Sequence, residues 1–392
     1  MSSLISIIKK LRNTKDSIIT FGKILLYRLK KTDKTCILFS NGMGYGGAPL
    51  VLLEMAKIYK SLGYKVIVYT HYYGRLMKIY KNNGIDVWIS PLKGLVINKK
   101  IAKCEFDFIV VNTVVMSQWI KVFDLKNIPI IWWIHESYSF IKKYNGYMPD
   151  KLNCSTYVAG VSDRVIEGLE DNNLRYATAI LSYGLEDLKS DTDNITNDRP
   201  EYECTYLVMG AICKNKNQIE ALKAYNSMPP EYKNKSKIIF VGAPLDDKDS
   251  YYYDFLEEIK GVNNIEYIYA VSRKEISQLY NKIDVLICCS LEDSLPVVVT
   301  EALMFNKIVI TSSGTGQYSL IKDGINGYKF NKNDAKQLRD KMISAYENKD
   351  NEIIKNNARL LYEQTFTIDV FQENIINYTN DILEKERKRE RV

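Results

Sequence analysis

Residues 285–305 read VLICCSLEDSLPVVVTEALMF, and this stretch decides the fold. The short apolar run from Val285 to Cys289 predicts a buried strand. Polar residues follow it, and Pro296 suits the first turn of a helix, with Asp293 or Ser294 as its cap. A buried strand that turns directly into a helix is the repeating unit of a parallel α/β sheet.

The same alternation extends through the second half of the chain. Helices are predicted between the strands, for example at Gln218 to Asn226 and at Arg273 to Asn281. The other strands predicted in this half are Thr205 to Met209, Lys237 to Val241, Ile265 to Tyr269 and Ile308 to Thr311. Repeated units of this kind predict a doubly wound parallel sheet with helices on both faces.

The first half shows the same pattern, with a predicted helix at Ala48 to Leu62. Its predicted strands are Cys36 to Ser40, Lys65 to Thr70, Asp86 to Ile89, Phe108 to Asn112, Ile128 to Ile134 and Tyr157 to Val161. We therefore expect two tandem Rossmann-like domains, at 34–185 and 204–365, joined by a polar linker at 186–203. Residues 366–392 are predicted to form a C-terminal helix that can cross back to the first domain. In such sheets ligands bind beyond the carboxyl ends of the strands, so we expect the two domains to face one central cleft.

Composition excludes several classes of protein. The 392 residues are 46% hydrophobic and 26% charged, which is typical of a globular chain with two domains. The excess of 54 basic over 47 acidic residues is small and spread out, which argues against a nucleic-acid partner. Seven cysteines without C-x-x-C spacing argue against a disulfide framework or a zinc site, and no apolar run is long enough to span a membrane. We therefore expect a cytoplasmic protein.

Residues 1–33 form a basic amphipathic extension. Apolar side chains recur at helical spacing, at Leu4, Ile7, Ile8, Leu11, Ile18, Phe21, Leu25 and Leu29. Basic residues lie mainly on the other side, at Lys9, Lys10, Arg12, Lys23 and Lys30. Such a helix fits the surface of an anionic membrane, which would make the protein peripheral on the inner face of the cell membrane, but it also fits packing against the protein itself. The sequence leaves both alternatives open.

A glycine-rich segment, Asn41 to Pro49, follows the first predicted strand and precedes a helix. Glycines permit positive φ and let backbone amides approach a ligand, and the helix N-terminus favours an anionic or polar group. The spacing of Gly46, Gly47 and the preceding glycines differs from the dinucleotide fingerprint, which argues against a nicotinamide cofactor. A tight turn without a ligand is the alternative.

The chain has two histidines, His71 and His135, and each follows a predicted strand. His135 and Glu136 end the apolar run at Ile131 to Ile134, where a side chain can touch substrate. A structural role is the alternative for each histidine, and more so for His71.

Within residues 285–305, Asp293 lies just before the predicted helix, and Glu301 follows a little over two turns later. The amides near Leu295 and Val297, on either side of Pro296, can bind phosphate or sugar oxygens, and the two carboxylates can accept hydrogen bonds from hydroxyls. This combination suits a sugar or ribose ligand. The alternative is a capped helix whose Glu301 lies on a solvated face.

A fourth segment, Gly210 to Gln218, also joins a strand to a helix. Lys214 and Lys216 can neutralise a diphosphate there. The D-x-D at Asp191 to Asp193 lies in the polar linker, so we predict no metal site and no required cofactor.

These motifs together resemble those of the GT-B retaining glycosyltransferases of family 4, the glycosyl transferases group 1, from about Lys34 to Phe371. The segments that carry the resemblance are Gly46-Gly47-Ala48 with Leu52 to Ala56, His135-Glu136, Gly210 with Lys216, Asp293 with Glu301, and Lys322 to Tyr328. Two positions depart from the family pattern. Ala211 replaces an arginine that often follows the loop glycine, and Ser319 replaces the glutamate expected before the closing turn.

The resemblance implies a role for each segment. Glu301 would hold the nucleotide ribose, Asp293 a hydroxyl of the donor sugar, and Lys216 the diphosphate. His135 and the amides of Gly46 and Gly47 would approach the transferred sugar. The expected catalytic residues are then His135, Asp293 and Lys216.

The expected function is sugar transfer from a nucleotide-diphosphate sugar, a UDP-sugar above all, to a glycan or lipid-linked acceptor in surface polysaccharide or glycoconjugate synthesis. The resemblance implies retention of anomeric configuration by a front-face route. The alternatives are a carbohydrate-binding or scaffold protein that has lost turnover, which the departures at Ala211 and Ser319 motivate, and an epimerase of the same fold, for which no acid–base pair is evident.

Overall fold

The computed structural model describes the chain except residues 1, 30–33, 45, 91–98, 124–126, 150, 175–177, 190–201, 247, 390 and 392, and except the side chains of 2–13, 29, 273 and 274. The chain divides into two compact units. Unit 1 comprises Met1–Gly184 and Phe371–Val392, and unit 2 comprises Leu185–Val370. Most of the predicted linker, including Asp191 to Asp193, lies outside the described residues.

Unit 1 contains a seven-stranded parallel sheet. Its strands are β1 (Thr35–Ser40), β2 (Lys65–Thr70), β3 (Asp86–Ile89), β4 (Phe108–Asn112), β5 (Ile130–Ile134), β6 (Thr156–Gly160) and β7 (Thr178–Ile180). Their spatial order is β3-β2-β1-β4-β5-β6-β7. Every residue of β1, β4 and β5 is buried, as expected for central strands that helices cover on both faces.

Unit 2 contains a six-stranded parallel sheet. Its strands are β8 (Cys204–Met209), β9 (Ser236–Val241), β10 (Ile265–Ile268), β11 (Val285–Cys288), β12 (Ile308–Ser312) and β13 (Tyr328–Phe330). Their order is β10-β9-β8-β11-β12-β13. The predicted doubly wound α/β architecture is confirmed in both halves of the chain.

Helices connect the strands in both units. They are α1 (Ser2–Leu29), α2 (Gly47–Ser61), α3 (Leu76–Asn82), α4 (Gln118–Phe123), α5 (Tyr138–Tyr144), α6 (Asp163–Asp171), α7 (Gln218–Asn226), α8 (Pro230–Lys233), α9 (Ser250–Ile259), α10 (Arg273–Lys282), α11 (Val297–Met304), α12 (Ala335–Glu347), α13 (Glu352–Thr365) and α14 (Ile368–Arg389). Within the described residues, no helix is long and apolar enough to cross a bilayer.

The amphipathic helix α1 packs along the edge strand β3. The hydroxyl of Thr20 donates to the carbonyl of Ile89 (2.7 Å) and accepts from its amide (3.1 Å), and Lys23 donates to the carbonyl of Val87 (3.1 Å). These side chains satisfy backbone groups that an edge strand would otherwise leave open to a second chain. The helix therefore has a structural role in covering the edge of the sheet.

The other side of α1 remains exposed and apolar. Ile18 and Leu26 are 65% and 62% exposed, and Ile19 and Leu25 are also exposed. The two alternatives left open by the sequence are therefore compatible, because one face packs on unit 1 while the opposite face is available for another contact.

The C-terminal helix α14 packs on unit 1. The hydroxyls of Tyr59 and Thr379 lie 2.8 Å apart, and Phe371 stacks on Trp133 with ring centroids 5.6 Å apart. Farther along, Tyr157 donates to the carboxylate of Glu386 at 2.6 Å. Specific contacts therefore anchor α14 to unit 1 as far as Glu386.

Candidate functional site

The loops after β8 and β11 meet at the carboxyl edge of the unit 2 sheet. Lys216, from the first loop, forms an ion pair with Asp293, from the second. Burial lowers the pKa of Lys216, but the carboxylate of Asp293 outweighs this effect, so the net pKa is raised. The amine therefore remains an ammonium at neutral pH.

Asn215 joins the same two loops through three hydrogen bonds. Its side-chain amide donates to the carbonyl of Glu292 (2.8 Å), and its side-chain oxygen accepts from the Glu292 amide (3.1 Å). Its own carbonyl accepts from the amide of Leu291 (2.8 Å). Sequence reasoning missed Asn215, although its place between Lys214 and Lys216 was the available signal. Lys214 itself is exposed.

Gly210 sets the path of the lysine loop. Its φ is +151°, and a Cβ at this position would lie 3.7 Å from the side chain of Lys216. The aliphatic stem of Lys216 therefore passes close over the glycine backbone. A side chain at this position would strain the backbone, so the loop uses the positive φ that glycine permits.

Neither Asp293 nor Ser294, the two residues predicted as caps of the following helix, holds its N-cap position. Helix α11 begins at Val297, Pro296 holds the N-cap position, and no side chain caps it. The amide of Asp293 instead donates to Gly314 (2.8 Å), and the amide of Gly316 donates to Asp293 (2.9 Å). This pairing with the loop after β12 turns the carboxylate of Asp293 toward Lys216.

The start of α11 can present a backbone donor to a ligand. Val297 is the first residue of this helix, and amides at the start of a helix point away from its body. The amide of Val299 already donates to the carbonyl of Pro296 (3.1 Å). The amide of Val297 thus lies where it can receive an oxygen anion.

Glu301 is only 2% exposed, so the solvated alternative is wrong. The hydroxyl of Tyr280 lies 3.2 Å from its carboxylate and 2.9 Å from the carbonyl of Val298. Sequence reasoning also missed Tyr280, which belongs to α10 and to none of the quoted motifs.

Gln317 supports the start of α11 from the turn after β12. Its side-chain amide donates to the carbonyl of Pro296 (3.0 Å) and to the hydroxyl of Thr300 (3.2 Å). Ser319, at the family's glutamate position, is exposed and donates only a long bond to Gly316 (3.4 Å). The buried side chain of Gln317 therefore links the turn after β12 to the start of α11.

In unit 1, Glu136 ties together the ends of β4 and β5. Its carboxylate accepts from the amides of Val114 and His135, each at 3.1 Å. Thr113, between β4 and this contact, has a φ of +83°, a conformation that a β-branched residue rarely adopts. The carboxylate thus holds a strained strand end in place.

Burial shifts both titratable groups of this pair toward neutrality. It lowers the pKa of His135 to about 3 and raises the pKa of Glu136 to about 7. The Nε2 atom of His135 is buried and has no hydrogen-bond partner among the described residues. His135 therefore offers a neutral imidazole, and Glu136 is partly protonated near neutral pH.

We expect Glu136→Gln to change how stability depends on pH. A carboxyl whose pKa is raised in the folded state binds more protons folded than unfolded between about pH 4.5 and 7, so its contribution to stability is lost as pH rises through that window. The variant keeps an acceptor for both amides without a buried charge, so from pH 5 to pH 8 it should gain on the order of 2 kcal/mol relative to wild type.

Thermal melting of both proteins at pH 5, 6.5 and 8 measures this difference. Because His135 is present in both proteins, its opposite contribution, a gain in stability as pH rises from about 3 to 6.5, cancels in the comparison. A difference in melting temperature that stays constant over the range would contradict the prediction.

The glycines after β1 do not adopt the positive φ that the sequence suggested. Gly46 has a φ of −71°, and Gly47 begins α2. A Cβ at Gly42 or Gly44 would have no atom within 4 Å, so packing does not require glycine there. Instead, there is open space beside the backbone at these two glycines.

His71 has structural contacts. Its Nδ1 lies 3.0 Å from the carbonyl of Ser90, and its Nε2 lies 3.5 Å from the side-chain amide of Gln118. The ring is buried. The structural alternative is therefore the better account of this histidine.

Comparisons with known proteins cover both units. A family model described as glycosyl transferases group 1 matches residues 190–361, and one described as glycosyl-transferase family 4 matches residues 32–148. No curated protein matches the chain.

Several solved structures share the fold. HepE from Anabaena, crystallised with UDP-glucose, superimposes with a TM-score of 0.75 at 17% identity, over 88% of this chain and 99% of that one. A glycosyltransferase from Rickettsia africae gives 0.70 at 20% identity, over 90% and 99%. The lipopolysaccharide outer core galactosyltransferase WaaB gives 0.65 at 14% identity, over 89% and 99%. The chain thus has the GT-B fold.

Proposed function

The chain belongs to the glycosyl transferases of group 1 and family 4, and from this premise we propose that it moves a sugar from a nucleotide-diphosphate sugar to a glycan or lipid-linked acceptor with retention of configuration. The observation that carries the proposal is the convergence of Lys216, Asp293 and the uncapped start of α11 at one edge of the unit 2 sheet. A cation beside the N-terminus of a helix suits a diphosphate, and the neighbouring carboxylates suit hydroxyls.

Each group has a part in the proposed reaction. Lys216, assisted by Lys214 and the amides of Leu295 and Val297, neutralises the charge that develops on the departing diphosphate as the anomeric bond breaks. Asp293 accepts a hydrogen bond from the donor sugar, and Glu301 accepts from the ribose. The acceptor hydroxyl attacks from the face that the diphosphate leaves, and an oxygen of the diphosphate takes its proton.

His135, with Gly46 and Gly47, is proposed to contact the transferred sugar. Because its pKa is about 3, the imidazole is neutral and can hydrogen-bond to a sugar hydroxyl without adding charge. The Nε2 atom, which has no hydrogen-bond partner in the part of the chain that the structure describes, supports this role. Glu136 positions His135 through its backbone amide.

A UDP-sugar is the proposed donor, supported by the UDP-glucose complex of HepE, which has the same fold. A panel of nucleotide sugars tests it in two steps. Ligands that bind only the folded state raise the melting temperature, and those that do are then assayed for transfer and for nucleotide release. Absence of turnover with every nucleotide sugar would favour the carbohydrate-binding or scaffold alternative, and absence of binding by every nucleotide sugar would refute the proposed donor.

We also propose that the protein is cytoplasmic and peripheral on the inner face of the cell membrane, where it takes part in surface polysaccharide or glycoconjugate synthesis. The exposed side of α1, with Ile18 and Leu26, supports contact with an anionic bilayer, as does the basic character of the extension. Deleting α1 would also uncover strand β3, so point substitutions on the outer side make the sharper test.

The double variant Ile18→Ser and Leu26→Ser should reduce flotation with vesicles containing anionic lipid by about tenfold, because two large apolar side chains lose their burial in the interface. Ile353→Ser, at a 72% exposed isoleucine in unit 2, is the matched control and should float like wild type. Equal flotation of all three proteins would remove the argument for membrane contact through α1.

A further inference from the structure

We propose that Tyr280 is a positioning residue for the nucleotide, and that its hydroxyl holds the carboxylate of Glu301 in the orientation that a ribose diol requires. The proposal rests on the proposed function, which gives Glu301 the ribose. It extends the donor site to helix α10, which carries none of the motifs found in the sequence.

The Tyr280 side chain lies along one face of α11. Its hydroxyl reaches the carbonyl of Val298 (2.9 Å) and the carboxylate of Glu301 (3.2 Å), and its ring stacks on Phe305 with centroids 5.2 Å apart and planes 10° apart. Val298, Glu301 and Phe305 are three and four residues apart, so they share a helix face. The tyrosine therefore spans two turns of α11.

These contacts restrain Glu301 relative to its own helix. Phe305 and the buried surroundings fix the ring of Tyr280, which is fully buried. The hydroxyl is therefore held in one position, between the carbonyl of Val298 and the carboxylate of Glu301. A carboxylate that must accept from two neighbouring hydroxyls depends on such orientation, because hydrogen bonds weaken steeply as the angle departs from linear.

Unit 2 offers a matched control for the loss of a buried tyrosine hydroxyl. Tyr206 is also fully buried, and its hydroxyl donates to the carbonyl of Met342 at 2.9 Å. Tyr206→Phe and Tyr280→Phe therefore remove the same atom from equally buried sites. Only the second removes a contact with Glu301.

The experiment measures dissociation constants for UDP and 2′,3′-dideoxy-UDP, which lacks both ribose hydroxyls, by calorimetry. Wild type should prefer UDP. Tyr280→Phe should weaken UDP binding about tenfold and change 2′,3′-dideoxy-UDP binding less than twofold, because the orientation of the Glu301 carboxylate matters only to a nucleotide whose ribose donates to it. Tyr206→Phe should match wild type with both nucleotides, and melting curves check that both variants fold.

A double-mutant cycle separates positioning from general packing. In the Glu301→Gln background, Tyr280→Phe should cause no further loss of UDP affinity, because the tyrosine acts through the carboxylate. Unchanged UDP binding by Tyr280→Phe, an equal loss for both nucleotides, or a full loss in the Glu301→Gln background would each overturn the proposal.

Failure of the underlying function gives a different result. If wild type binds UDP and 2′,3′-dideoxy-UDP equally, the ribose role of Glu301 is refuted, and the role of Tyr280 with it. If wild type discriminates and Tyr280→Phe discriminates equally well, only the role of Tyr280 is refuted.

Discussion

Lys216→Ala is expected to lower kcat/KM for sugar transfer by about 10²- to 10³-fold, the largest effect of any single substitution in unit 2. The ammonium is the charge in the described site best placed to stabilise a departing diphosphate, and its pKa keeps it protonated throughout the neutral range. Without the Lys216 ammonium, only backbone dipoles and the exposed Lys214 remain to balance the negative charge of the diphosphate. Steady-state transfer with the best nucleotide sugar from the panel measures the effect.

Lys223→Ala is the control for the loss of a lysine from the same unit. Lys223 lies in the last turn of α7, is exposed, and should be dispensable for turnover. Because Lys216→Ala leaves Asp293 without its cation, melting curves must accompany the rates. A folded Lys216→Ala variant with a kcat/KM within a few-fold of wild type would contradict the diphosphate role.

Much of the fold could be predicted because its strands are buried on both faces. Where strands alternate with helices along the chain, a short continuous apolar run such as Phe108 to Asn112 is best explained as a buried strand. Strand β5 begins at Ile130, two residues later than predicted, because Pro129 has no amide for the ladder. The strands β7 and β13, of three residues each, were missed because they are too short for a periodic signal.

The candidate site was less predictable than the fold, because it depends on contacts between distant segments. The strand ends predicted that Lys216 and Asp293 share one edge, but they did not predict the ion pair across 77 positions, nor that Pro296 holds the N-cap position of α11 in place of Asp293 or Ser294. Asn215, Tyr280 and Gln317 act through tertiary hydrogen bonds. Nothing in the local sequence distinguishes Tyr280 and Gln317 from ordinary polar residues, and Asn215 is marked only by its place between Lys214 and Lys216.

Asp293→Asn should change binding and turnover in opposite directions. Without a ligand, Lys216 is paired with Asp293, so a diphosphate must compete with the carboxylate for the ammonium and also approach a negative charge. Removing that charge should tighten UDP binding about fivefold, which corresponds to ~1 kcal/mol. Transfer should nevertheless fall by about 10- to 100-fold, because the donor sugar loses a charged hydrogen-bond acceptor.

Calorimetry with UDP and steady-state transfer measure the two effects separately. Asp254→Asn, at an exposed carboxylate on α9, controls for the change in net charge and should alter neither. If Asp293 served only to hold its loop, the variant would bind UDP more weakly as well as turn over more slowly. A shared loss would therefore refute the competition between Asp293 and the diphosphate, since only competition for Lys216 predicts that the substitution tightens binding while it slows the reaction.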